Sequence, residues 1–305
     1  MAQRPGQGAV GLAWAGLLLA CLCWAGNALV ARAFHDAIPP FALAFWRWSL
    51  ALVILLPFVA RPLWQHRAEL RRAGWRLWLV AALGISTYSV LLYFAARTTV
   101  AINLTLLNTC LPLATFIGAG LLLNEWPSRR AWLGMAVAIL GLLVLIGQGS
   151  LASLASLSFN PGDLLMLLAV LDWALYTLLQ RRWSSYFHGI PPLAFLGMLV
   201  LVGVPLLLPF YLLEQAGGAH FDPNLNNLAA IGYTGVFASL IAYLLWNQGI
   251  AVLGVAKATL TNYLMPVFTA LLGYFILGEA LQAYHWVGGA MIFAGLLLGT
   301  RQRPK

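Results

Sequence analysis

LNTCLPLATFIGAGLLLNEWPSRRAWLGMAVAILGLLVLI, residues 107–146, and LTNYLMPVFTALLGYFILGEALQAYHWVGGAMIFAGLLL, residues 260–298, decide how this chain folds. Asn108, Pro112, Glu125, Trp132, Gly134 and Gly141 recur 154 positions later as Asn262, Pro266, Glu279, Trp286, Gly288 and Gly295. Leu and Gly would coincide by composition alone. Asn, Pro, Glu and Trp in one order would not, so the two stretches read as copies. A looser match sets Trp24-Ala25 beside Trp173-Ala174 at an offset of 149, five residues of loop length making the difference.

The solvent of the fold follows from composition. The 305 residues are 62% hydrophobic and 8% charged, against about 25% charged in soluble domains. A water-exposed surface built from so few charges would carry large apolar patches, so the surrounding solvent is lipid. A spanning helix needs about 20 apolar residues. Ten segments fit: 11–31, 41–60, 75–95, 100–123, 131–147, 162–180, 192–213, 228–248, 254–277 and 284–300. The Tyr, Ser, Thr and Gly of 75–95 and 228–248 suggest faces turned to protein or water. The first segment has a poor n-region and no clear cleavage motif, so it reads as a retained helix. Each copy holds five spans, and an odd number of crossings puts the second in upside down. The expected fold is all-α: a polytopic membrane protein of ten transmembrane helices in two inverted five-helix repeats, residues 1–150 and 160–305. Inverted repeats with a proline inside matching spans are a transporter pattern.

Charge orients the chain. Arg4, Arg61, Arg67, Arg71, Arg72, Arg76, Arg129, Arg130, Arg181, Arg182, Arg301, Arg303 and Lys305 fall on one side of a ten-span topology. The positive-inside rule makes that side, with both termini, cytoplasmic. Asp36, Asp163, Glu214 and Asp222 mark the other side. The net charge of +9 is therefore topological, and no nucleic-acid partner is expected. The expected location is a bacterial inner membrane. Cys21, Cys23 and Cys110 lie in apolar spans without C-x-x-C or histidine clusters, so neither metal nor cofactor is expected. No catalytic motif or nucleotide-binding loop is present, so the chain reads as no enzyme and no ATP-driven pump.

The paired prolines carry the sharpest local chemistry. Proline lacks the N–H that bonds to the carbonyl four residues earlier. Pro112 frees the carbonyl of Asn108 and Pro266 that of Asn262, each beside a carboxamide. These groups need partners in hydrocarbon: substrate, water, a neighbouring helix or each other. Gly134, Gly141, Gly288 and Gly295, at seven-residue spacing, read as close helix packing. Glu125 is expected to pair with Arg129 or Arg130 in the adjoining turn.

Among the in-membrane charges, Arg32, Arg97 and Lys257 can snorkel. Arg47 and Asp172 lie deeper and need a polar path or a partner. An Arg47–Asp172 pair is one reading; a proton-titrating site or a substrate ammonium contact are the others for Asp172. Trp14, Trp46, Trp48, Trp75, Trp78, Trp126, Trp132, Trp183 and Trp286 lie near span ends and suit interfacial belts. Trp24, Trp173, Tyr88, Tyr93, Tyr176, Tyr243 and Trp246 lie deeper. With Asn27, Asn108, Asn247 and Asn262 they either line a cavity for a flat or amphipathic molecule or pack the bundle.

CWAGNALVARAF (23–34), FALAFWRWSLA (41–51), DWALYTLLQRRW (172–183) and the doubled Pro…Glu…Gly pattern resemble the drug/metabolite transporter superfamily, in its EamA-like branch. Within it the chain is similar to bacterial aromatic amino acid exporters of the YddG kind. Asn124-Glu125 departs from the usual Gly-Glu pair, which Gly278-Glu279 keeps. The resemblance implies ten helices around a central cavity and alternating access. The leading expectation is a carrier exporting aromatic or other bulky neutral amino acids. Trp24, Asn27, Tyr88, Tyr93, Asn108, Trp173, Tyr176, Tyr243, Trp246 and Asn262 are candidate substrate contacts. Arg47, Pro112, Asp172 and Pro266 are candidates for charge pairing or conformational change. The expected partners are a small molecule and membrane lipid, with a monomer as the unit. The alternatives are a multidrug or other metabolite transporter of the same superfamily, and a structural or chaperone-like membrane protein that carries nothing.

Overall fold

The computed structural model describes residues 7–99, 101–147, 150, 160–277 and 282–300, which form helices and turns with no strand. Each of the ten apolar segments is mainly helical over its described residues. Seven of these helices are long and apolar enough to cross a membrane: Gly8–Ala33, Pro40–Gln65, Trp75–Ala95, Asn103–Leu123, Pro161–Arg182, Pro192–Ala216 and Leu225–Leu253. The chain is thus an all-α polytopic membrane protein. Helices satisfy every backbone group internally, which lipid demands. Glu279, Arg4, Arg301, Arg303 and Lys305 lie outside the described residues.

Local sequence explains where the helices start. Ile38-Pro39-Pro40 opens the second segment and Ile190-Pro191-Pro192 the seventh. Proline at the first helical position gives up an amide that the first turn leaves unpaired anyway. This second pair of matching motifs reinforces the repeat. At the second segment, the Phe41 and Ala42 amides donate to the Glu214 carboxylate at 3.2 and 2.7 Å; an anion there complements the helix dipole. Asn160 and Asp163 form a reciprocal capping box at the sixth segment, and Thr99 Oγ1 donates to Asp163 Oδ1 at 2.5 Å.

The Asn-x-x-x-Pro sites do interrupt their helices. Helix Ala101–Asn108 stops, and helix Leu111–Leu123 begins after two turn residues, with Pro112 in its first turn. In the ninth segment, Thr261–Leu264 tightens to a 3-10 turn between Val255–Leu260 and Met265–Leu277. There the carbonyl that Pro266 would leave free is not free. The Met265 amide donates to Asn262 O, because the tighter turn supplies an i→i−3 bond.

Two further interruptions were not expected. Ala82–Thr87 in the third segment and Thr234–Ile241 in the eighth are wide π-turns, a rare element that marks local rearrangement of the ladder.

Helix packing repeats when the two halves exchange. The first segment packs on the eighth, and the sixth on the third; the sixth packs on the fourth, and the first on the ninth; the second meets the seventh, and the fifth meets the tenth. The last two pairs run antiparallel. Phe41 stacks on Phe210 near one end, and Val59 lies against Gly197 near the other. A Cβ on Gly134 would sit 2.4–2.5 Å from backbone atoms of Gly295 and Gly299. One on Gly141 would sit 2.7 Å from Gly288 O. The glycines therefore allow backbone-to-backbone contact, as their spacing predicts.

Two surface expectations change. Glu125 pairs with Arg181 at 3.4 Å rather than with Arg129 or Arg130, and Arg182 donates to Leu122 O. The end of the sixth segment is thereby tied to the end of the fourth, because these two helices lie side by side. Trp48 is no interfacial residue: it is fully buried, with its indole donating to Ser89 Oγ at 3.0 Å. Trp46, Trp75, Trp78, Trp126 and Trp286 are exposed, as belt residues should be.

Candidate substrate cavity

The deep aromatics converge. Trp24 meets Trp173, Tyr243 and Trp246 edge-on, with centroids 5.4, 5.9 and 5.2 Å apart. Trp173 touches Tyr88, Tyr176 and Tyr243 at 4.8, 4.9 and 5.1 Å. Edge-to-face pairs set ring edges against π-faces. Trp24 and Trp173 are repeat mates, and here they touch. Trp48 joins the cluster through Tyr243 at 4.8 Å; its place near a span end hid this role.

A polar seam runs beside the rings. Arg47 Nε donates to Ser239 Oγ at 2.8 Å, Nη1 to Tyr93 Oη at 2.7 Å and Nη2 to Ala238 O at 3.5 Å. Tyr93 donates onward to Asn27 Oδ1 at 3.1 Å. The guanidinium also lies near the faces of Trp48 and Tyr93, 5.1 and 5.7 Å from their centroids, a cation–π arrangement. Ser239 had no sequence signal beyond its polar helix. The Arg47–Asp172 ion pair, one of the readings open from sequence, is not formed among the described residues. The π-turn brings Ser239 to the guanidinium, so neutral groups satisfy Arg47. Asp172 is buried, and its Oδ2 has no hydrogen-bond partner.

Asn108 and Asn262 also meet. Asn108 Nδ2 faces Asn262 Oδ1 at 3.5 Å and Met265 Sδ at 2.9 Å, while its Oδ1 is unpartnered. Asn262 Nδ2 donates to Thr259 O at 3.2 Å. Behind them, Thr115 donates to Thr259 Oγ1 at 3.1 Å. Thr105 and Thr259, like Thr115 and Thr269, are repeat mates as well.

Trp24, Asn27, Arg47, Tyr88, Asn108 and Tyr243 share one small cavity with Thr105, Met166 and Met265. Of the remaining candidates, Trp173, Tyr176 and Trp246 stand in the ring cluster. Tyr93 reaches the site through Arg47, and Asn262 through Asn108. Tyr176, Gln180 and Asn247 form a separate polar group, with Tyr176 donating to Asn247 Oδ1 at 3.3 Å. Pro112 and Pro266 shape the helix breaks without lining the cavity. The cavity holds ≈10 Å³, room for about one water, whereas small-molecule pockets run to ~300 Å³ or more. Aromatic rings take up most of the space at this site.

The profile of the EamA-like transporter family matches residues 10–147 and again 160–301. The chain belongs to that family, and so is a membrane transporter rather than an enzyme. An uncharacterized protein of Pseudomonas aeruginosa is 34% identical over 87% of this chain and 86% of its own length. The uncharacterized transporter YyaM of Bacillus subtilis is 27% identical over 86% and 84%. A probable terminal-alkyne amino-acid exporter of Streptantibioticus cattleyicolor is 27% identical over 95% and 93%. A solved crystal structure superposes with a TM-score of 0.75 over 98% of this chain and 97% of that one, at 21% identity, a likeness of fold.

Proposed function

We propose that this EamA-like transporter exports amino acids with bulky neutral, especially aromatic, side chains. The reading rests on one observation: an arginine without an ion-pair partner among the described residues, beside a collapsed box of tryptophan and tyrosine rings. Arg47 Nη2, held only by a 3.5 Å contact, is the donor best placed to take a substrate carboxylate. The rings offer a flat side chain apolar contact worth about 25 cal/mol per Å². The positive charge also disfavours lipophilic cations. Similarity to a probable amino-acid exporter agrees with this class.

Ten crossings in two inverted halves are part of the same proposal. In support, packing pairs are preserved when the halves exchange, and repeat mates touch at Trp24–Trp173 and Asn108–Asn262. Two similar halves can then alternate in opening. The same proposal puts both termini on the cytoplasmic side of a bacterial inner membrane, with the basic loops in support.

A second reading, a multidrug or other metabolite carrier, is favoured by the unpartnered Asp172 Oδ2, which would attract a cation. Counterflow in vesicles of purified protein, with labelled amino acids and lipophilic cations, separates the two. Saturable exchange of Trp or Phe is the expected result. Exchange of cations alone would overturn the amino-acid reading, as would exchange of no amino acid at all.

A further inference from the structure

Two backbone carbonyls at the centre are not used by the helices that carry them. In the third segment the Tyr88 amide reaches back five residues to Leu83 O. An α-turn would have sent it to Gly84 O, which is thereby released. In the eighth segment the Ala242 amide reaches Phe237 O, and Ala238 O is released in the same way. Each released carbonyl is filled from the opposite half. Tyr243 Oη donates to Gly84 O at 2.6 Å. Trp24 Nε1 donates to Ala238 O at 3.0 Å, with Arg47 Nη2 at 3.5 Å.

Both donors belong to rings that line the cavity. A cavity of ≈10 Å³ admits a substrate only if such rings move. Moving Tyr243 strands the buried Gly84 O, which is unfavourable unless another donor replaces it; Ala238 O keeps its Arg47 Nη2 contact when Trp24 moves. We propose that Gly84 O is an acceptor for a primary ammonium group of the substrate, which takes over from the Tyr243 hydroxyl as the ring cluster opens. This deepens the amino-acid reading and rests on it. An –NH₃⁺ group brings three N–H donors. A quaternary ammonium brings the same charge and none. Recognition by charge alone, through Asp172 or the ring faces, would accept both.

The test uses the full-length protein in vesicles, with tryptophan, tryptamine and their N-trimethyl counterparts competing for labelled tryptophan, and with labelled tryptamine uptake as a separate readout. Each trimethyl compound should compete on the order of tenfold or more less well than its parent. Because trimethylation also adds bulk, the Tyr243→Phe variant supplies the second readout. It keeps the ring and removes the donor that competes for Gly84 O. Apparent affinity for the primary amines should rise severalfold and that for the trimethyl compounds should not, so the discrimination widens. Equal competition by parent and trimethyl compounds, or an equal shift of both in Tyr243→Phe, overturns the carbonyl site. If tryptophan is not carried but tryptamine is, and trimethylation abolishes its uptake, the carbonyl site stands and the amino-acid reading falls. Failure of every compound overturns both.

Discussion

Asn108 and Asn262, 154 residues apart, face each other with Asn108 Nδ2 3.5 Å from Asn262 Oδ1. Under the proposed inverted arrangement, equivalent positions of the two repeats touch only near the axis that would relate them. The repeat first visible as a sequence offset thus meets itself at the cavity wall. The pair is not symmetric in its bonding, however. Asn262 is held by Thr259 O, whereas Asn108 lines the cavity with a free Oδ1.

That asymmetry predicts unequal mutants. Asn108→Ala should lower transport on the order of tenfold, the loss of one polar contact to substrate or its water. Asn262→Ala should cost only about two- to threefold, since it acts through its neighbour. Initial rates normalised to membrane protein decide the matter. Equal effects would mean that both residues touch substrate, and no effect in either would assign both to packing.

Gly134→Ala should destabilise the protein by about 1–3 kcal/mol. The new methyl would meet backbone of Gly295 and Gly299 at 2.4–2.5 Å, and no rotamer change relieves a backbone clash. Gly289→Ala on the opposing helix meets only Val267 side-chain atoms at 3.7 Å or more and should be neutral. Thermal melting in detergent compares them; equal melting temperatures would show that the fifth and tenth segments pack elsewhere.

Arg47 and Asp172 should behave as unrelated residues. Arg47→Gln loses bonds to Ser239 and Tyr93, a destabilisation of roughly 1.5–3 kcal/mol for hydrogen bonds from a charged group. Asp172→Asn has no ion pair to lose and removes a buried carboxylate, so its melting temperature should equal or exceed the parent's. A double mutant whose loss is much smaller than the sum would reveal coupling between the two.

Orientation has its own test. A cysteine at position 66 should resist an impermeant reagent applied to intact cells, and one at 220 should react. The thirteen basic residues that a ten-span topology puts on one side set this expectation; the opposite labelling pattern would reverse it.

Sequence by itself determined that the chain lives in lipid, that it is helical, where ten apolar segments lie and that two stretches are copies. These depend on composition and on the order of rare residues, which need no neighbour to be legible. It also marked which deep aromatics and asparagines would gather, since a polar or ring-bearing side chain in lipid has few other places to go. Tertiary structure decided the partners. Arg47 bonds Ser239 and Tyr93 rather than Asp172 because a π-turn rotates the eighth segment into reach, and no residue pattern announces a π-turn. Glu125 finds Arg181 because two helices lie side by side, a fact that sequence distance hides. Trp48 is core rather than belt for the same reason. Depth along a span can be read from one chain of letters, but the direction a side chain faces is set by whichever helix packs beside it.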